Sequence, residues 1–241
     1  MKKAFLLIIY ALGLTTMFSS CEKDNMPGPN AIVYGTIKDK VTGKPVETEL
    51  INGSSIEAFE LGYPTQVLQR WLIKNDGQYR NNLVFAANYD FQLRNSNFFP
   101  ISLMNYAIKP GENQLDFTVD PYLRVNNCKI VYDAAGKKIT ATFNLEAGGS
   151  NVLVKAVRLY AFSDIYVGEA TKFGITASSA ISYAPSKVVD NGLITLTIDL
   201  AANASLFPTG RDYFFRVGAL ADVAGVGTIR HNYAPNVKIT L

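Results

Sequence analysis

Residues 194–200 read Ile194-Thr195-Leu196-Thr197-Ile198-Asp199-Leu200. Apolar and polar side chains alternate here without interruption. A period of two sends the four aliphatic chains to one face and the two threonines and the aspartate to the other, the pattern of a half-buried β-strand. The same alternation recurs at Ile139, Ala141, Phe143 and Leu145, at Tyr89, Phe91 and Leu93, and at Leu115, Phe117 and Val119. Long helical periodicity is absent. The chain therefore reads as all-β.

The segments between these runs are turns. Asn75-Asp76-Gly77, Asp133-Ala134-Ala135-Gly136 and Pro208-Thr209-Gly210 carry residues that accept positive φ or pre-set a bend. In Asp39 to Val46 (DKVTGKPV), Gly43 supplies the bend and Pro45 restarts an extended chain. Lys109 to Asn113 (KPGEN) reads as one more turn. Further strands are expected at Ile32 to Ile37, Ile56 to Phe59, Gln66 to Ile73, Val152 to Phe162, Tyr213 to Val217 and Val237 to Leu241. Strands joined by turns, without helices between them, argue for sandwiches rather than βαβ units. Pro121-Tyr122 marks a boundary, giving a first module over residues 31–120 and a second over residues 121–241. Cys128 shares an alternating face with Ile130 and Tyr132 and is expected to serve as a small buried hydrophobe.

The first thirty residues carry an address. Lys2 and Lys3 precede the apolar run Ala4 to Leu14, which is too short for a comfortable membrane span, and small or polar residues lead to Cys21. This is a secretory signal over residues 1–20. Phe18-Ser19-Ser20-Cys21 resembles a lipobox, with Phe18 where Leu or Val is usual. Lipidation of Cys21 is expected, and several acyl chains at about 0.8 kcal/mol per buried CH₂ make a durable membrane anchor. Residues 21–30 then form a polar tether. Loss of Lys2 and Lys3 lowers the formal charge from +3 to +1, which leaves nucleic-acid binding without electrostatic support. With Cys21 lipidated, Cys128 is the remaining thiol, so no intrachain disulfide can form.

No motif for catalysis stands out. The single histidine, His231, lies between Arg230 and Asn232, and no nucleophile or orienting acid is placed for it, so it reads as a surface residue. Glycoside hydrolysis needs two carboxylates facing across a cleft, and Glu57 with Glu60, or Asp164 with Glu169, are pairs in sequence only. No metal-ligand set or cofactor motif is present. Binding is better served. Tyr63, Trp71, Phe98 and Phe99 offer aromatic faces on which the apolar face of a sugar ring stacks, and Arg70, Asn95 and Asn97 offer groups that read hydroxyls. Trp71 also sits in an apolar run (Val67, Leu68, Leu72, Ile73), which argues equally for a core position. Asp222 to His231 (DVAGVGTIRH) reads as a glycine-containing loop before the last strand, at an interdomain or ligand contact.

The motifs carry resemblances. Gly35 to Asp39 (GTIKD), Thr42 to Val46 (TGKPV) and Asp76 to Tyr79 (DGQY) resemble the carboxypeptidase-regulatory or prealbumin-like sandwich, which is not catalytic. Phe207 to Gly210 (FPTG) followed by Tyr213 to Val217 (YFFRV) resembles the approach to the penultimate strand of fibronectin-type-III and immunoglobulin-like sandwiches. That resemblance implies a tyrosine corner at Tyr213. Together, Leu61-Gly62-Tyr63, Asn75 to Leu83, Phe98-Phe99-Pro100 and Pro121 to Val125 are similar to a two-domain lipoprotein family encoded beside SusC/SusD-type outer-membrane pairs. The resemblance implies an outer-membrane, exterior-facing lipoprotein that binds polysaccharide or docks on a SusCD-type transporter. The competing expectation is a structural or adhesive lipoprotein, such as a fimbrial subunit, working through protein contacts.

Overall fold

The computed structural model describes residues 27–175 and 179–241. The signal segment, Cys21 and most of the tether lie outside the described residues. Among the described residues the chain is β-structure with a short 3₁₀ turn at Ala204–Leu206 and no α-helix.

The first module contains β1 (Ala31–Asp39), β2 (Ser55–Glu60), β3 (Leu68–Leu72), β4 (Gln78–Val84), β5 (Asn88–Leu93), β6 (Ile101–Ala107), β7 (Gly111–Gln114) and β8 (Phe117–Val119). One sheet runs β4-β1-β7 with β8 also on β1, and the other runs β3-β2-β5-β6. Their inner faces meet in a core that includes Val33, Ile37, Ile56, Trp71, Tyr79, Phe91 and Phe117. The odd positions of β1, from Ala31 to Asp39, all point inward and are buried. β7 and β8 both lie parallel to β1, separated where Leu115 passes close over Gly35. A Cβ on Gly35 would lie 1.9 Å from the Leu115 carbonyl oxygen, so only glycine fits there.

The second module contains β9 (Leu123–Asp133), β10 (Lys138–Ala147), β11 (Leu153–Phe162), β12 (Ala180–Val188), β13 (Ile194–Asp199), β14 (Asp212–Asp222), β15 (Asn232–Tyr233) and β16 (Val237–Thr240). A sheet ordered β13-β10-β9 faces a five-stranded sheet ordered β12-β11-β14-β15, with β16 also on β14. Ile139, Phe143, Leu196, Ile198, Phe215 and Val217 belong to the shared core. The alternating run from Ile194 thus forms β13, its apolar face turned inward. Tyr213 forms the tyrosine corner that the resemblance implies: its hydroxyl donates to the Pro208 carbonyl at 2.9 Å.

Four strands were not anticipated, the two-residue β15 among them. β6 and β12 lie at sheet edges, where one flank lacks a partner and the side chains do not alternate cleanly. β12 also holds Pro185, a residue that sheets confine largely to edges. β7 occupies most of the segment read as a turn at Lys109 to Asn113, because its four residues are tied to β1 in a parallel ladder.

Candidate functional site

The turn Asp39 to Val46 is built by Asp39. Its carboxylate accepts from the Val41 N–H at 2.9 Å and from the Thr42 hydroxyl at 3.0 Å, while Gly43 takes φ +68°. The same carboxylate accepts a two-pronged contact from Arg124 of the second module, at 2.6 Å to Nε and 2.8 Å to Nη2. Burial raises the Asp39 pKa, but the Arg124, Val41 and Thr42 contacts outweigh it and hold the carboxyl below its ordinary value. The turn motif is therefore also one half of an interdomain ion pair.

A second pair lies deeper. Arg216 on β14 is the largest fully buried side chain of the described residues, at 0% exposure. Its five N–H groups meet five acceptors. Nε donates to Ala234 O at 2.8 Å, Nη1 to Thr48 O at 2.7 Å and to Val167 O at 3.4 Å, and Nη2 to Asn75 O at 3.0 Å and Glu47 Oε2 at 2.6 Å. Its guanidinium also lies 4.3 Å from the Tyr233 ring centroid. Three of the acceptors belong to the first module. Burial raises the Glu47 carboxyl above its usual range and lowers the Arg216 pKa, the mark of desolvation opposing the pair.

Asn97 joins the modules in the same way. It is 0% exposed, and its Nδ2 donates to Glu47 O at 2.7 Å and to His231 O at 3.1 Å. Its Oδ1 accepts from the Ser54 hydroxyl at 2.9 Å, and its carbonyl accepts from Asn232 Nδ2 at 2.8 Å. The loop between β14 and β15 is pinned to the first module too: Thr228 N donates to Asn95 Oδ1 at 2.8 Å and Arg230 N to Ser96 O at 3.1 Å. The stretch 222–231 is an interdomain clamp.

Two clefts open along this seam. The larger, 480 Å³, lies between the Asp39–Val46 turn and the start of β9. Pro45, Pro121 and Pro235 give it apolar walls, while Lys44, Asn126 and Asn127 bring polar groups to it. Its volume falls within the ~300–1,000 Å³ typical of ligand pockets. Cys128 also lines it, half-buried, with burial pushing its thiol up to about 11, so it stays protonated near pH 7. The smaller, 230 Å³, lies on the seam formed by residues 50–57, the exposed face of β3 and the 222–231 loop.

The structure separates the residues nominated from sequence. Trp71 is 5% exposed and packs edge-on to Phe91 at 5.3 Å, so its ring fills the first core and offers no face to a sugar. Phe98 is 1% exposed in the same core. Asn97 is spent on the seam, and Phe99 is half-buried at 4.8 Å from Tyr122. Tyr63 stands 62% exposed in the loop after β2 and lines neither cleft. Arg70 and Asn95 are brought together at the smaller cleft. His231 is not the surface residue expected: it packs between Tyr160 and Tyr233, and burial pushes its imidazole down to about 4, which leaves it neutral near pH 7. Glu57 is buried and held by Arg94 at 2.6 Å, and Glu169 is held by Lys172 at 2.7 Å, so each carboxylate is engaged by a cation. No cluster of three or more His, Cys, Asp or Glu suited to a metal occurs among the described residues.

Sequence reasoning missed Arg216 and Arg124. The available signal was the run Tyr213 to Ala221, apolar on both faces apart from Arg216, which marks a strand covered from both sides. Removing one partner of a buried pair strands the other charge, which costs about 3–5 kcal/mol. Arg216→Ala is therefore expected to lower unfolding free energy by that amount in urea denaturation, and Lys187→Ala, on the exposed pair with Asp190, by only a small fraction of it.

Comparison with curated proteins returns no match. Among solved structures, a Bacteroides uniformis protein described as a "putative carbohydrate binding protein" is 44% identical, with a TM-score of 0.85 over 89% of this chain and 100% of its own. DUF3823 family proteins from Bacteroides uniformis and Parabacteroides merdae share the fold, with TM-scores of 0.71 and 0.70 at 21% and 16% identity, each over 89% of this chain and 100% of its own. None of these three descriptions names an enzymatic activity. The profile for the N-terminal domain of the proteins of unknown function DUF3823 matches residues 31–120, and that for the domain of unknown function DUF3823_C matches residues 123–238. The chain belongs to the DUF3823 family.

Proposed function

We propose that this protein is a non-catalytic, carbohydrate-binding lipoprotein of the outer membrane, facing the cell exterior as an accessory to a SusCD-type glycan-uptake system. The observation that carries the reading is the 44% identity, over the full length of that relative, to a protein described in terms of carbohydrate binding. The larger cleft supports it chemically. Proline walls present apolar C–H surface to a sugar ring, and Lys44, Asn126 and Asn127 place donors and acceptors for hydroxyls around it. Asn127 is exposed, lies at the irregularity of β9 with φ +53°, and its Nδ2 donates to Asn144 Oδ1 at a long 3.4 Å. The lipobox-like Phe18 to Cys21 segment supports the address, and the exposed residues 27–30 lead from it to β1.

Two measurements test this reading. In affinity electrophoresis across a broad polysaccharide panel, the mature chain should be retarded by at least one glycan. Asn127→Ala with Lys44→Ala should weaken that retardation at least severalfold with the fold intact by circular dichroism. A folded protein that no glycan retards contradicts the binding role. In cells, Cys21→Ser should move the protein from the outer-membrane fraction to a soluble one and abolish metabolic labelling by palmitate; unchanged fractionation and labelling contradict the anchor.

A further inference from the structure

The smaller cleft has a charge balance that the fold does not explain. Three arginines lie at or beside it, and its one buried carboxylate, Glu57, is hydrogen-bonded by only one of them. Arg94 holds Glu57 Oε2 with Nε at 3.1 Å and Nη2 at 2.6 Å. Arg70 reaches only 4.0 Å from Glu57 Oε1, beyond hydrogen-bond distance, and its side chain is more than half exposed. Arg230 forms no ion pair among the described residues, and its Nε is buried without an acceptor. Both Arg70 and Arg230 line the cleft, alongside Asn52, Ser55 and Asn95.

A guanidinium offers five N–H donors in a planar fork. Arg216 shows what the fold does with such a group when it is purely structural: every donor is met. Arg230 and Arg70 are not treated so. A buried donor left without an acceptor costs about 1–3 kcal/mol, and a fixed fork matches the paired oxygens of a carboxylate or sulfate. The two arginines come from different modules, Arg70 from β3 and Arg230 from the clamp loop, and the Thr228–Asn95 and Arg230–Ser96 bonds fix that loop. At 230 Å³ the cleft suits one substituent or one sugar unit rather than a chain.

We propose that this cleft is an oxyanion site for an acidic saccharide, gripping a uronate carboxylate or a sulfate ester between Arg70 and Arg230, with Asn52 and Ser55 reading the adjacent hydroxyls. The inference rests on the carbohydrate reading above and narrows its ligand to acidic glycans. It also predicts steep salt dependence, since two exposed or half-exposed charges are screened at ionic strengths above about 0.15 M.

The test is calorimetric titration of the mature chain, made with Cys21→Ser, against polygalacturonate, chondroitin sulfate and neutral dextran and xylan. Free galacturonate and inorganic sulfate are run in parallel. The expected result is binding of at least one acidic polymer, weakened tenfold or more by Arg70→Gln and by Arg230→Gln and weakened strongly between 50 and 300 mM salt. Arg70 is exposed, so its variant keeps the test decisive if Arg230→Gln unfolds, and Arg230→Lys keeps the charge while removing the fork. Acidic polymers bound no better than neutral ones, or bound equally by the Arg70→Gln and Arg230→Lys variants, overturn the inference while leaving a neutral-glycan role standing. No binding to any polymer overturns both. Free sulfate bound as tightly as the polymers overturns the assignment to a saccharide.

Discussion

A guanidinium with no exposed surface must find an acceptor for every N–H, and Arg216 finds its five in four different segments of chain. Two of those segments belong to the second module, and the remaining acceptors, Thr48, Asn75 and Glu47, to the first. The charge is tolerable only where all of them converge, so the modules have one docked arrangement rather than a range. Apolar faces alone would not impose this, because hydrophobic contact is non-directional and a small slip costs little. Around Arg216, Asn232 donates to the Asn97 carbonyl and Asn97 to the His231 carbonyl across the seam, and Arg124 clamps Asp39. The interface is polar where it sets geometry and apolar where Tyr160, Val167 and Tyr233 close it off.

Both clefts are consequences of that docking. The larger has the Asp39–Arg124 pair in its lining, and the smaller has walls from residues 50–57 and from the clamp loop. Neither would survive separation of the modules. The TGKPV turn illustrates the economy of the arrangement. Asp39 first organises its own turn and then, with the same two oxygens, anchors the neighbouring module.

Much of this was legible in the sequence, and the reason is the pleat. Where one strand face meets the core and the other meets water, the pattern has a period of two, and β5, β10 and β13 were read from it directly. Gly43, Gly77 and the tyrosine corner were legible because each needs one residue type. β6, β7 and β12 were not: two are edge strands without clean alternation and the third is four polar residues held by a parallel ladder. The candidate site was less legible still. Aromatic rings in Trp71 and Phe98 read identically whether they stack on a ligand or fill a core, and burial, which decides between them, is a property of the assembled sheets. Arg216 carries no local motif, since its partners lie as far as 169 residues away. Arg70 and Asn95 were named from sequence, but what assembles them with Arg230 is the docking itself.

The claim that the buried polar seam makes two sandwiches into one unit is tested most directly by differential scanning calorimetry of the mature chain. A single transition is expected, with agreeing calorimetric and van't Hoff enthalpies, splitting into two when Arg216 is replaced by alanine. Two separate transitions in the unaltered protein, each matching one module melting alone, would contradict it.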